Sequence, residues 1–455
     1  MNVLTQYLKL YTDNRSLIEA SCAAPLNNLR EPALKALKDF GTMPARGSEG
    51  YAKVAPAELF APDYGVNISR LKFAVDVARS FHCDVPSIST LLGIVVNDTF
   101  HATDMLRRNV PEGVEVMSLA AAAAAHPELV ARYLGRLSDN RTAATALNTL
   151  LMQDGVFIHI GAGVRAPKAI QIVNIFNAAA PLMAVRRVLV VAEERSSARI
   201  LFCDHSQSAD THYLSSQVIE VYAAPGAEVE IYDLEESSEL TSRFSEMYVR
   251  QQRDSSVVLS GNTLSCGRTR NSYSVDVAGD GASATLGGFA IGSEDQNIEN
   301  VVDLHHTACH CTSRQLFKYA LFENAQGAFG GKITVEQGAM FTDAVQTNRN
   351  LLASPSARMH SEPQLEIYCD EVKCGHGATT GQLDERALFY MRSRGIPEDE
   401  ARMMLIQAFM VDVIDTIALE SLRERLHRLV EKRLSGASAS CASCQGGCNL
   451  LIAEE

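Results

Sequence analysis

The stretch Val218-Ile-Glu-Val-Tyr222, Ala223-Ala-Pro-Gly-Ala227 and Val229-Glu-Ile-Tyr232 decides the fold class. Two short runs rich in β-branched residues flank a corner of small residues, which predicts two β-strands joined by a turn. The pattern recurs from Asp154 to about residue 372, with no run of helical length in between. Further strands are predicted at 156–160, 170–175, 188–192, 198–202, 256–259, 272–277, 283–286, 332–335 and 365–368.

More than 200 residues of short strands leave two architectures open. One is a sandwich or barrel, and the other is a β-solenoid, in which each coil stacks only on its neighbours. Small-residue corners such as 223–227 and Gly279-Asp-Gly-Ala282 fit the coils of a solenoid. They fit the turns of a hairpin meander almost as well, so the pattern alone does not choose between the two.

Helical patterns flank the strand-rich region. Residues 1–150 are rich in Ala, Leu, Glu and Arg, with apolar residues at three- and four-residue spacings, which predicts an N-terminal helical region. The strand-rich core occupies residues 151–378. A C-terminal helical region follows at 379–434, with helices starting near Asp384, Glu398 and Glu420, and residues 435–455 form a Gly/Ser/Cys-rich tail predicted to be flexible.

Composition narrows the class of function. The chain has 455 residues, and its net charge of −13 argues against nucleic-acid binding, which usually needs a basic patch. The N-terminal residues lack the unbroken apolar segment of a signal peptide, and no stretch is long enough to span a membrane. We therefore expect a cytoplasmic protein without a membrane partner, in which the 11 cysteines stay reduced and suit metal or sulfur chemistry.

The sequence lacks the common nucleotide-binding and hydrolase motifs. Gly327-Ala-Phe-Gly-Gly-Lys332 resembles a phosphate-binding loop, but it lacks the Ser/Thr and runs into the predicted strand Ile333-Thr-Val335 instead of a helix. Neither a Gly-x-Ser-x-Gly nor a His-Glu-x-x-His motif occurs. We expect a protein that is not an enzyme and has no ATP site of its own.

One candidate metal site lies in Leu365-Glu-Ile-Tyr-Cys-Asp-Glu-Val-Lys-Cys-Gly-His-Gly-Ala-Thr379. The pattern predicts a strand that ends in Cys374-Gly-His376. Residues i and i+2 of a strand face the same side, so the thiol and imidazole can share one face and suit iron or zinc. The alternative is a Cys and a His that merely pack against the next element, because two donors make only half of a tetrahedral site.

Two further clusters contain metal-binding residue types. In His305-His-Thr-Ala-Cys-His-Cys311, strand alternation predicts Cys309 and Cys311 on one face and His306 and His310 on the other, with a structural role favoured. The tail has Cys441-x2-Cys444 spacing followed by Cys448, which can chelate zinc or iron but supplies only three thiolates. A redox-active or inert tail is equally compatible with this spacing.

Several segments resemble the SufB/SufD family of iron–sulfur cluster assembly proteins. They include Phe329-Gly-Gly-Lys-Ile-Thr-Val335, Thr342-Asp-Ala-Val-Gln-Thr-Asn348, Lys373-Cys-Gly-His-Gly-Ala378 and Phe389-Tyr-Met-Arg-Ser-Arg-Gly395. The likeness covers about residues 145–430. It implies a mainly β protein, with a right-handed parallel β-helix core flanked by helical regions.

The resemblance also implies a role. Gly377 after the histidine resembles the D-type subunit, a scaffold that pairs with a SufB-type paralogue through the β-helix and binds a SufC-type ATPase near residues 381–430. The resemblance then implicates His376 in iron acquisition at the paralogue interface, and it implicates Cys374 less strongly. His306 and His310 also match the family pattern. Iron or an iron–sulfur cluster would be held transiently in the complex, with nothing tightly bound to the isolated chain, which can form a homodimer.

Two alternatives remain at this stage. A SufB-type or autonomous scaffold would hold a cluster or metal on its own cysteines. A polysaccharide-active β-helix is the alternative from the enzyme class, although such enzymes are usually secreted.

Overall fold

The strands account for most of the chain between residues 91 and 381. The computed structural model describes residues 3–71 and 90–435. The strands are β1 (Leu91–Val96), β2 (Thr99–Ala102), β3 (Val114–Ser118), β4 (Val156–Ile160), β5 (Ile170–Phe176), β6 (Leu182–Ala192), β7 (Ser197–Ser206), β8 (Tyr213–Ala223), β9 (Glu228–Glu236), β10 (Thr241–Gln251), β11 (Ser256–Ser265), β12 (Arg268–Val277), β13 (Ser283–Gly292), β14 (Asn297–His306), β15 (Thr312–Leu321), β16 (Gln326–Val335), β17 (Asp343–Leu352), β18 (Arg358–Ile367) and β19 (Lys373–Gly381).

These strands form a two-sheet β-solenoid of about eight turns. Sheet I has the order β18-β16-β14-β12-β10-β8-β6-β4-β3, and sheet II has the order β19-β17-β15-β13-β11-β9-β7-β5-β1-β2. From β4 onwards, successive strands alternate between the sheets, and each strand from β6 to β17 pairs in parallel with the strands two places before and after it in sequence. The solenoid is therefore confirmed, and the hairpin meander is wrong.

Stacked coils make the core. In-register parallel pairing places Val229 beside Val257 and Val257 beside Ala284, so each inner position forms a column along the solenoid. These side chains are buried in a continuous apolar cluster. The predicted corners at 223–227 and 279–282 connect the two sheets, and Gly226 and Gly281 adopt positive φ angles of 68° and 73° that glycine tolerates best. The glycines thus allow the tight turns that bring each strand into register with the coil before it.

The N-terminal region contains strands as well as helices, which corrects the purely helical prediction for residues 1–150. Its described helices are α1 (Val3–Ala20), α2 (Ala24–Asn27), α3 (Arg30–Phe40), α4 (Pro56–Leu59), α5 (Asp104–Asn109), α6 (Leu119–Ala125), α7 (Pro127–Tyr133) and α8 (Ala143–Leu151). The run Leu91-Leu-Gly-Ile-Val-Val96 instead extends sheet II by pairing with β5. Its β-branched, apolar side chains suit a strand at this buried edge of the sheet. Strand β2 pairs antiparallel with β1, and β3 pairs antiparallel with β4.

Buried glutamates on the outer face of sheet I anchor the N-terminal region. Glu220 of β8 accepts hydrogen bonds from the backbone N–H groups of Gly135, Leu137 and Ser138. Glu299 of β14 accepts hydrogen bonds from three consecutive N–H groups, at residues 52–54. Each carboxylate satisfies loop donors that would otherwise be buried without partners, so these contacts define where the loops lie.

Three C-terminal helices follow the last strand: α9 (Glu385–Ser393), α10 (Glu398–Ile414) and α11 (Glu420–Leu434). Helices α10 and α11 pack on the outer face of sheet II, and α9 packs against α10. Their predicted positions are confirmed. Met410 and Leu426 are buried against sheet side chains, the Lys318 ammonium pairs with Asp412, and Arg425 pairs with Glu236 at 2.8 Å. Among the described helices, none has the length and apolar content needed to cross a bilayer.

The two ends of the solenoid differ. Strands β1 to β3 close the N-terminal end with antiparallel pairs, whereas β18 and β19 are the last strands of their sheets at the other end. Within residues 3–71 and 90–435, no strand pairs with the outer edges of β18 and β19. Inner side chains of the final coil, such as Ser361, Pro363 and Leu365, are consequently half-exposed. The C-terminal end is an open mouth.

Candidate functional site at the open end of the solenoid

Cys374 and His376 both lie near the start of β19, at the mouth of the solenoid. The prediction that they end a strand begun at Leu365 is wrong: β18 ends at Ile367, residues 368–372 turn, and β19 begins at Lys373. The turn carries the chain from sheet I to sheet II, as at every coil. Cys374 pairs in register with Ala344 and His376 with Gln346. Both partners are fully buried inner residues, so Cys374 and His376 share the inner face, as their spacing predicts.

The two side chains differ in environment. Cys374 is half-buried against the apolar core, and burial raises the pKa of its thiol, with the negative charge of Asp343 adding to the effect. His376 is exposed, because no further coil covers it. Metals bind the thiolate, so a metal at Cys374 would have to displace the thiol proton. The imidazole is therefore the more accessible donor of the pair.

The predicted arrangement of His306 and His310 is wrong. Strand β14 ends at His306, and His310 lies in the following turn with a φ of 57°, so strand alternation does not apply between them. His306 is fully buried with its Nε2 atom 3.0 Å from the Ser313 hydroxyl. Burial lowers the pKa of His306 to about 4, and the charge of His305 adds to this shift. His306 is thus a neutral core residue near neutral pH.

The rest of this cluster lies at a corner of the solenoid. His310 is exposed, and its ring stacks on Phe341 with 4.7 Å between centroids. The Cys309 thiol donates a hydrogen bond to the Gly338 carbonyl oxygen at 3.1 Å, and the buried Cys311 thiol donates one to the Gly279 carbonyl oxygen at 3.3 Å. The thiols serve the corner's own hydrogen bonding in this arrangement.

The described residues contain no group of three or more His, Cys, Asp or Glu side chains arranged to hold a metal ion. Cys374 and His376 supply two donors at the mouth, which is part of a coordination sphere. The tail cysteines Cys441, Cys444 and Cys448 lie outside the described residues.

Sequence reasoning missed a charged cluster inside the solenoid. Arg243 pairs with Asp233 and lies 3.4 Å from Asp204, which in turn lies 3.4 Å from Arg186. All are nearly fully buried. Glu235 lies nearby and accepts a hydrogen bond from Thr269 at 2.7 Å, and burial raises its pKa to about 7. The sequence feature that could have predicted this cluster is the presence of charged residues at inner positions of otherwise apolar strands, such as Arg186 in β6.

Helix α9 presents a second exposed feature. Phe389 and Tyr390 are 73% and 58% exposed, although aromatic side chains of this size are usually covered. Arg394 lies over the ring of Tyr390, with its guanidinium carbon 5.1 Å from the ring centroid. The helix therefore carries an aromatic surface that no other residue of 3–71 or 90–435 covers.

Known proteins match this chain over nearly its whole length. The family described as "SUF system FeS cluster assembly, SufBD core domain" matches residues 174–409, and the "SufBD protein N-terminal region" matches residues 1–172. A SufBD family iron–sulfur cluster assembly protein of Synechocystis is 28% identical, over 86% of this chain and 87% of its own length. SufD of Escherichia coli is 35% identical over 37% of this chain and 40% of its own length. SufD of Bacillus subtilis is 25% identical over 71% and 74%. The chain belongs to the SufBD family of iron–sulfur cluster assembly proteins.

Proposed function

We propose that this chain is the D-type scaffold subunit of a cytoplasmic iron–sulfur cluster assembly complex and assists iron acquisition at His376. The observation that carries the proposal is the open mouth of the solenoid. There, Cys374 and His376 share the inner face of a terminal strand, with only two of the donors that a metal needs. A second protein seated on this end would supply the others.

A SufB-type paralogue is the proposed partner at the mouth. The outer edges of β18 and β19 present backbone N–H and C=O groups that another strand can pair with. The half-exposed inner side chains of the last coil add apolar surface for the partner to cover. A neutral imidazole from His376 can then bind iron next to a thiolate of the partner, a combination that suits this metal.

A SufC-type ATPase is the proposed partner of the C-terminal helices. Exposed aromatic residues are enriched among the residues that dominate binding energy in interfaces, and Phe389 and Tyr390 of α9 have this character. The ATPase would supply the nucleotide chemistry. In this chain, the Gly-rich segment 327–332 lies inside β16, where its backbone N–H groups pair with neighbouring strands and are not available to cradle a phosphate.

The test is co-expression with the paralogue and the ATPase, comparing wild type, His376→Ala and His360→Ala. His360 is the matched control, because it is an exposed histidine on β18 that pairs with Ala328 on the outer face of sheet I. We expect all three complexes to assemble, with iron content reduced at least severalfold in His376→Ala alone.

Full iron loading of the His376→Ala complex would refute the proposed role of His376. A stable cluster formed by anaerobic reconstitution of the isolated chain would instead favour an autonomous scaffold that uses its own cysteines.

A further inference from the structure

Two of the segments that resemble the SufB/SufD family, 342–348 and 373–378, lie side by side in sheet II near the mouth of the solenoid. Gln346 of β17 pairs in register with Gln315 of β15 on one side and with His376 of β19 on the other. Both glutamines are inner residues, with exposed fractions of 0% for Gln346 and 3% for Gln315. Side chains at matching positions of adjacent parallel strands lie about 4.8 Å apart, so Gln346 forms the floor beneath His376.

The side-chain amide of Gln346 is hydrogen-bonded through its nitrogen but not through its oxygen. Its Nε2 atom donates a hydrogen bond to Gln315 Oε1 at 3.0 Å. Its Oε1 atom is buried and has no hydrogen-bond partner among the described residues. Since Gln315 lies on the far side from β19, Oε1 is the amide atom that remains for a donor at His376. A buried carbonyl oxygen without a donor is costly, and this cost favours such a bond.

Gly331 makes room for this amide. It lies on an inner position of β16, and a Cβ atom there would be 2.1 Å from Gln346 Nε2. The adjacent Gly330 faces outward, where a Cβ would be 3.7 Å from Val301. Of the two adjacent glycines, only Gly331 is needed for packing, because the Gln346 amide occupies the space that a side chain at position 331 would fill.

We propose that Gln346 is a positioning residue for His376. On rotation of its exposed side chain, a ring N–H of His376 donates a hydrogen bond to the unpartnered Gln346 Oε1. This bond selects one tautomer and turns the other ring nitrogen, with its lone pair, towards the partner that covers the mouth. Metal-binding histidines commonly have their second nitrogen held in this way. The inference rests on the proposed function for its iron readout but not for its tautomer readout.

The first test is the ring tautomer in the isolated chain, by NMR of 15N-histidine-labelled protein. The His376 signals are assigned by their loss in His376→Ala. We expect a single dominant tautomer in wild type and a mixture in Gln346→Leu. Asn350→Leu is the matched control: Asn350 is also a buried inner amide of β17 with an unpartnered oxygen, but it pairs with Thr380. An identical tautomer distribution in wild type and Gln346→Leu overturns the inference, whatever the iron results.

The second test is iron affinity of the assembled complex. Gln346→Leu should weaken iron binding about 10- to 100-fold, and Gln346→Glu, which keeps an acceptor, should restore most of the affinity. In the His376→Ala background, Gln346→Leu should have no further effect. An equal loss with and without His376 would assign Gln346 a purely structural role. Wild-type iron binding that does not depend on His376 would instead refute the proposed function, leaving the tautomer result to decide the positioning role.

Discussion

His306 makes the stability of the folded chain depend on acid pH. Its imidazole is buried beside Ser313 and its pKa is lowered to about 4, whereas an unfolded histidine titrates near pH 6.5. Below pH 6.5 the unfolded state therefore binds a proton that the native state does not. This stabilising contribution is fully present above pH 6.5 and is lost as the pH falls through about 4.

We expect His306→Asn to abolish this part of the pH dependence. Between pH 7 and pH 5 the wild type should lose about 2 kcal/mol of unfolding free energy through His306, and the variant should not. Urea denaturation at both pH values measures the difference. His360→Ala, which changes an exposed histidine, should follow the wild type; an unchanged pH slope in His306→Asn would contradict the prediction.

Glu235 has the opposite effect. Its pKa is raised by burial to about 7, compared with about 4.5 for an ordinary glutamate, so the native state retains a proton that the unfolded state releases. The stability that comes from this neutral carboxyl is fully present below pH 4.5 and is lost as the pH rises through about 7. In wild type, the contributions of Glu235 and His306 partly cancel between pH 4.5 and 6.5.

Replacing Glu235 should expose the pH dependence of the unfolding free energy that comes from His306. Glu235→Gln keeps an oxygen acceptor for Thr269 but cannot ionise. The difference in unfolding free energy, variant minus wild type, should increase by about 2 kcal/mol as the pH rises from 5 to 8. The reason is that the wild type loses the stability of its neutral Glu235 carboxyl over this range and the variant does not. The measurement is the difference between the two urea titrations at each pH. Parallel pH profiles for the two proteins would show that Glu235 ionises normally in the folded chain.

At the scale of elements, the two adjacent glycines of β16 should respond differently to the same change. Gly331→Ala places a Cβ against the buried Gln346 amide, which must move, and we expect a loss of about 1–3 kcal/mol. In Gly330→Ala the Cβ faces the outer side and makes ordinary van der Waals contact with Val301 at 3.7 Å, so this change should be neutral or slightly stabilising. Thermal and urea denaturation of the pair measure this. Equal effects would mean that Gln346 adapts without cost.

The strands and corners were predictable because their signals are local. Runs such as Val229-Glu-Ile-Tyr232 and the corner at 223–227 follow from period-two alternation and small residues alone. Stacking into coils is set by pairings some 30 residues apart, which periodicity does not encode, so meander and solenoid stayed open. Strand β1 was missed for a related reason: its conformation depends on the free edge of β5, far along the chain.

The candidate site was predicted in part for the same reason. Cys374 and His376 are two residues apart in one strand, so spacing alone places them on one face. His306 and His310 are four apart, and a corner between them breaks the alternation. The contacts of Glu220 and Glu299 join residues more than 80 positions apart. Such long-range partners depend on the assembled fold, and a single sequence gives no means of pairing them.

At the scale of the whole molecule, the solenoid has a closed end and an open end, with helices on its flanks. The N-terminal region covers part of sheet I and the C-terminal helices cover part of sheet II. Terminal repeats of solenoids usually need a polar cap, because an uncovered coil exposes its apolar interior. The half-exposed row at Pro363 and Leu365 is therefore the surface that a partner should cover.

A charge on this row should prevent the partner from binding while leaving the chain folded. Leu365 pairs in register with the buried Ile333 and faces the mouth, whereas Gln364 beside it faces outward. In Leu365→Asp the carboxylate can stay hydrated in the isolated chain, but a bound paralogue would bury it without a partner. We expect affinity for the paralogue to fall more than about 10-fold in Leu365→Asp, and to change little in Gln364→Asp.

Titration calorimetry with the purified paralogue, alongside thermal denaturation of each variant, separates docking from folding. Leu365→Asp should keep a cooperative unfolding transition, because the half-exposed side chain contributes only part of its surface to the core. Equal paralogue affinity in the two variants would place the interface elsewhere than the mouth. His376 would then lie on a free surface, and the donors that complete its coordination would have to come from a different protein or from this chain.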